Sequence, residues 1–219
     1  MIQGLVIKTQ SYQEHARLLF TYTPKGKVTL IAKGAQKLNS PLRVIGQYMT
    51  LIAFEEVSNK TMYTLKEAKI MDDYHAIKSD YQLIKHAAVI LEIIDDVIDD
   101  HLNHDVIFQH AISAMSVGNI AYTSLAFSLK ILTYLGYGLS LKPDGRTIKG
   151  VGVQRGGIIY QDESDDIDLN VKESTIILQL IYQPYHVMIN MDEHTYNSIK
   201  KFIVRYYQYH LQTTLKALK

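Results

Sequence analysis

Between His15 and Phe54 the chain has no Asp or Glu, yet it carries Arg17, Lys25, Lys27, Lys33, Lys37 and Arg43. Within that run the stretch VTLIAKGAQKLNS, residues 28–40, begins as an alternating strand and stops at Lys33-Gly34. Lys33 and Lys37 are thereby set on a loop, with Arg43 close behind. Cations so placed can neutralise several phosphates of one nucleic-acid strand, and lysine does this without reading base sequence. Phe20, Tyr22 and Tyr48 lie in the same segment, with Tyr12 just before it, and these four have the flat faces on which unpaired bases stack. Each has the core as its alternative place, because barrel aromatics usually go there. For the lysines the alternative is a solvated loop, and the residues by themselves leave both readings open.

Other chemistry is mostly excluded. There is no cysteine, which removes disulfides, thiolate zinc sites and a cysteine nucleophile. No GxxxxGK[ST] phosphate loop occurs, and Gly150, Gly152 and Gly156 are wrongly spaced for a dinucleotide fingerprint, so they read as hairpin punctuation. No Ser stands in a GxSxG elbow. In LEIIDDVIDDHLNHD, residues 91–105, Asp95 and Asp99 lie one helical turn apart with His101 and His104 following, a spacing that could hold a divalent ion. The apolar residues of that segment occupy the opposite side, so the acids are better read as a solvated face or one turned towards a protein partner, and no metal site is expected.

The elements that must position these residues change character near residues 72–80. Before that junction the apolar residues recur with period two in five runs: IQGLVIKT, RLLFTYT, KVTLIAK, QYMTLIAFEEV and TMYTLKEAKI. Breaks fall at Pro24-Lys25-Gly26, Asn39-Ser40-Pro41 and Ser58-Asn59-Lys60. Five close strands predict a small barrel, of OB-like Greek-key type or of SH3-like type. After Asp80 the period becomes helical, predicting helices over about 81–103, 105–117, 121–135, 172–182 and from 192 onwards. Residues 138–170 read as a loop-rich insert with short β pieces such as Gly157-Ile158-Ile159-Tyr160. The expected fold is α+β, with a barrel domain over 1–78 and a helical domain over 79–219. Lys and Arg outnumber Asp and Glu by 11 to 6 in the first and are outnumbered 12 to 16 in the second, an asymmetry that points to a polyanion-binding part joined to something else.

Four segments, in order, give the chain a family resemblance. Gly4 to Glu14 (G-L-V-I-K-T-x-S-Y-x-E), Gly26 to Lys37 (G-K-V-T-L-I-A-K-G-A-Q-K), Phe127 to Tyr137 (F-S-L-K-I-L-T-Y-L-G-Y) and Tyr209 to Lys216 (Y-H-L-x-x-x-L-K) resemble segments of the bacterial RecO family. The resemblance implies an OB fold followed by a helical domain, and a protein that is not an enzyme. It further implies binding of single- and double-stranded DNA, annealing of complementary strands, and work with RecR to load RecA onto DNA coated by single-strand-binding protein. Lys33 and Lys37 correspond to the family's basic residues after the barrel strand, with Arg43, Lys27, Lys25 and Arg17 expected to support them. An adaptor that binds only proteins, and a metal-dependent hydrolase using Asp95, Asp99 and His104, are the other function classes.

The resemblance also implies docking of the acidic, phenylalanine-ended tail of single-strand-binding protein on the helical domain. Such a tail needs an apolar pocket and a cation for its carboxylate. Phe127, Ile131 and Tyr134 share one side of a helix, and Lys130 lies one turn from Phe127 and Tyr134, so these four are the expected partner-binding residues, with a core position as the alternative for the apolar pair. Many family members carry a four-cysteine zinc module ending G-G-h-h-C-x-x-C, where h is apolar. Here Tyr160 and Glu163 stand at the second cysteine pair and the first falls near Asp144 and Thr147, so no zinc or other cofactor is expected. No run of about 20 apolar residues could span a bilayer and no signal peptide is apparent, so a cytoplasmic protein without a membrane partner is expected, on the nucleoid when bound to DNA.

Overall fold

The computed structural model describes residues 1–56 and 61–218. The expected break at Ser58-Asn59-Lys60 therefore lies outside the described residues, as does Lys219. The chain forms two compact units, one of residues 1–81 with 99–110 and the other of residues 82–98 with 111–219.

The first unit is built on a six-stranded sheet: β1 (Ile2–Tyr12), β2 (Ala16–Thr23), β3 (Gly26–Ala32), β4 (Leu51–Phe54), β5 (Met62–Thr64) and β6 (Ala68–Asp72). Its order is β5-β3-β2-β1-β4-β6, antiparallel except for the parallel β3–β5 pair. Among the described residues β5 and β6 remain as edges, so the sheet curls into a half-barrel consistent with the OB type. Val6, Leu19, Leu30, Ile52 and Phe54 fill its core. Leu5, Val6 and Ile7 are all buried in succession because the β1–β2 register shifts between Val6 and Lys8, and such a bulge re-aims side chains that would otherwise alternate. The run read as one strand over residues 61–70 is two, interrupted at Leu65-Lys66-Glu67. Two short helices follow strands, α1 (Leu42–Ile45) and α2 (His75–Lys78).

The remaining helices are α3 (Tyr81–Asp96), α4 (His104–Ser116), α5 (Ile120–Tyr134), α6 (Val171–Tyr182) and α7 (Glu193–Leu211). Helix α3 stops short of the expected residue 103. Four aspartates crowd its C-terminal end, where the helix dipole disfavours negative charge, and the Asp99 side chain accepts from the His101 N–H to start a turn instead. In the second unit α5 packs against α6 and α7. It is buried on nearly every side from Thr123 to Leu132, as befits a helix with a single charged residue. Its hydroxyls are satisfied internally: Ser128 donates to the Ser124 carbonyl at 2.8 Å, and the Tyr207 hydroxyl donates to the Ser128 carbonyl at 2.7 Å. The insert forms a three-stranded sheet, β8-β7-β9, from β7 (Ile148–Gly152), β8 (Gly157–Tyr160) and β9 (Leu169–Asn170). No described helix is long and apolar enough to cross a membrane.

Candidate nucleic-acid interface

The loop after β3 is held in one shape. Gly34 takes a positive φ of 77°, a conformation glycine adopts without the Cβ clash, and so reverses the chain after Lys33. Lys37 N–H then donates to the Gly34 carbonyl at 2.9 Å, and Ser40 N–H to the Lys37 carbonyl at 3.2 Å. Gln36 ties the loop to the β1–β2 turn through its backbone N–H to the His15 carbonyl (3.1 Å) and its side-chain amide to the Ala16 carbonyl (2.8 Å). Ala35 and Ile45 are buried in the sheet's core, anchoring both ends. Lys33 and Lys37, on either side of the buried Ala35, are both exposed.

The six expected cations fall into two groups. Lys33, Lys37 and Arg43 are exposed, and among the described residues their charged ends meet no acceptor. Lys25 is instead paired with Glu56 at 2.8 Å, Lys27 is half-buried and engaged within the fold, and Arg17 donates to the Gly46 carbonyl at 3.1 Å, bracing the loop. Two further exposed lysines, Lys66 and Lys69, line one cleft together with Lys33. Sequence reading missed them because an alternating run from Thr61 to Ile70 made them ordinary strand positions. The only available signal was the Lys66-Glu67 interruption. Of the aromatics, Tyr12 and Tyr48 are exposed and Phe20 is half-buried with the Lys8 ammonium 5.6 Å from its ring. Tyr22 is fully buried, packed edge-on against His104, and so offers no stacking face.

The expected partner residues on α5 are mostly interior. Phe127 and Ile131 are 0% exposed, so neither presents a surface to a peptide; Tyr134 alone is exposed. Lys130, 9% exposed, donates from Nζ to the Ile181 and Gln183 carbonyls at 2.5 and 2.8 Å and lies 5.3 Å from the Tyr185 ring centroid. These carbonyls close the C-terminal end of α6, where helical acceptors lack partners and a cation is favoured. Burial pulls the Lys130 pKa below that of an ordinary lysine. The acidic helix is also partly committed: the Glu92 carboxylate accepts from the backbone N–H groups of Lys216 and Ala217 at 2.7 and 2.9 Å.

Zinc does not fit the insert. Where the family's module would place ligands, the Arg146 guanidinium contacts the carboxylates of Asp144 (2.8 Å), Asp162 (3.2 Å) and Glu163 (3.2 Å) and stacks 3.8 Å from the Tyr160 ring centroid. The Tyr160 hydroxyl accepts from the Asp144 N–H at 3.1 Å, and Arg155 adds pairs to Glu163 and Asp165 at 3.2 and 3.3 Å. The carboxylates are thus already held by a cation, and a tetrahedral zinc site needs thiolates or imidazoles that are not there. Among the described residues no group of three or more His, Cys, Asp or Glu could hold a metal, Asp95, Asp99 and His104 included.

The fold thus defines a class, an OB-type half-barrel followed in sequence by a helical region. The chain belongs to the RecO family: the family's "Recombination protein O N terminal" pattern matches residues 1–74 and its "Recombination protein O C terminal" pattern matches residues 78–219. It is similar to proteins named DNA repair protein RecO. That of Clostridium perfringens strain 13 is 34% identical over 142 residues, 62% of this chain and 58% of the relative. That of Clostridium acetobutylicum is 30% identical over 145 residues, 64% and 59% respectively. The protein of Alkaliphilus metalliredigens is 22% identical over 231 residues, 95% and 92%. The chain therefore matches about 58–59% of the length of the first two relatives. Membership supports a role in DNA repair and recombination.

Proposed function

We propose that the chain is a DNA-binding recombination mediator whose domain over residues 1–78 holds the phosphate backbone through Lys33, Lys37 and Arg43. The observation that carries this is the anchored loop, which presents three cations with no described counter-charge beside a half-barrel of OB type. Lys25, Lys27 and Arg17 act at its margin, shaping the surface more than contacting phosphate, because each is already engaged. On this reading the protein binds single- and double-stranded DNA, anneals complementary strands and, with RecR, helps RecA load onto DNA coated by single-strand-binding protein. Family membership supports those finer roles. The domain over residues 79–219 receives the protein partners, including the acidic tail of single-strand-binding protein, with Tyr134 as the surface group of α5 in reach of it.

A salt titration tests the core of this reading. DNA affinity should fall log-linearly with salt, and Lys33→Ala with Lys37→Ala should flatten the slope by about two contacts' worth, alike for every base sequence. An unchanged slope in the double variant would remove the loop from the interface. Failure of the wild type to bind DNA at low salt would favour an adaptor that binds only proteins.

A further inference from the structure

We propose that the cleft beside the cationic loop receives an unstacked nucleotide of a single DNA strand, its phosphates held by Lys33, Lys66 and Lys69 and its base set against the apolar lining. The proposal rests on the DNA reading above and deepens it. The cleft is open to solvent, has a volume of about 550 Å³, within the range of small-ligand sites, and lies between the loop with α1 on one side and the β5–β6 link on the other. Pro41, Leu42 and Ile45 give it apolar surface.

Two chemistries meet there. A site for phosphate alone has no use for an apolar wall, and a site for an apolar ligand has no use for three lysines. The three lysines meet no described carboxylate, so their charge is available to a ligand. Glu67, which also lines the cleft, would weaken a phosphate-only site, but it supplies an acceptor for a base N–H group. A single strand offers all three features together: charge along the backbone, a flat apolar base and polar base edges. A duplex keeps its bases paired and stacked inside, so it can meet the lysines but not the lining. The site therefore distinguishes single strands from duplexes without reading sequence.

The test compares an end-labelled oligothymidylate with an abasic strand of equal length by fluorescence anisotropy, using the full chain at one moderate salt concentration. The two strands carry the same phosphates. The wild type should bind the abasic strand at least about five-fold more weakly, the size of one base–surface contact. In Lys66→Ala with Lys69→Ala that preference should shrink towards one. In Lys37→Ala with Arg43→Ala both strands should weaken together and the preference should persist. Equal affinity of the wild type for both strands overturns the cleft while leaving the DNA reading intact, as does a preference that survives in the Lys66/Lys69 variant. Binding of neither strand overturns the DNA reading and this proposal with it.

Discussion

Lys130 shows how one residue's chemistry is decided by what its helix faces. Read on a helical wheel, it shares a side with Phe127 and Tyr134 and looks like a cation beside an apolar pocket. Which side of α5 meets water could not be read, because a helix with a single charged residue has no polar face to orient it. In the structure the ammonium completes the C-terminal end of α6. Lys130→Met keeps the length of the side chain but leaves the Ile181 and Gln183 carbonyls without their donor, and should cost about 1–3 kcal/mol of stability in urea unfolding. Lys130→Glu aims an anion at the same carbonyls and should cost about 3 kcal/mol or more. Near-equal stability of wild type and Lys130→Met would show that the two contacts contribute little. The loop lysines behave differently. Their types and their acid-free setting were legible in the sequence, since exposure on a turn follows from local signals such as Lys33-Gly34, while Lys66 and Lys69 became visible only once the strand pairing had brought them beside Lys33.

At the scale of elements, periodicity conveyed most strands and helices because each pattern is local. What it could not convey was where tertiary pairing breaks a run, as at Leu65-Lys66-Glu67, or where end charges stop a helix, as at Asp95 and Asp96. The insert was legible as loops and short β pieces. The guanidinium that gathers the carboxylates was not, because Arg146 and Glu163 meet only when β7 and β8 pair. The hydrogen bonds from Arg146 hold the Asp144 carboxyl at a pKa of about 2, below its ordinary 3.8. A depressed folded-state pKa means that the unfolded chain binds the extra proton first, so this contribution to stability is present above 3.8 and is lost as pH falls through about 2. Arg146→Ala should therefore lower the melting temperature by a few degrees near neutral pH, with the difference from wild type closing as the medium is acidified through that window. The cluster is at the surface, so the effect should resemble that of a solvent-screened ion-pair network and shrink in high salt. Chelators should leave the wild-type melting temperature unmoved, and a drop of many degrees on adding them would mean that a metal holds the insert.

For the molecule as a whole, the change of period near residue 78 marks a division along the sequence, but the first compact unit also contains Asp99–His110. Periodicity reports only local geometry, so it had no way to assign a distant helical turn to the sheet's unit. The link is Tyr22 on β2, whose hydroxyl lies 3.2 Å from the His104 Nδ1 while its ring packs against Phe108. Burial raises the Tyr22 pKa, so the phenol stays neutral and can donate to the imidazole. The two side chains should then be energetically coupled despite standing 82 positions apart in the sequence. Tyr22→Phe should cost about 1 kcal/mol, since it removes one buried hydrogen bond but keeps the ring. His104→Ala should cost about 2–4 kcal/mol, through the space it opens and the loss of the imidazole acceptor, which leaves the hydroxyl only its long contact to the backbone carbonyl of residue 104 at 3.5 Å. The double variant should fall short of the sum by about 1 kcal/mol, because once the hydroxyl is gone the loss of the imidazole leaves nothing unsatisfied. Urea unfolding of the four full-length proteins measures each term. Strict additivity would mean that the pair is merely adjacent and that packing against Phe108 alone keeps this helical turn with the sheet.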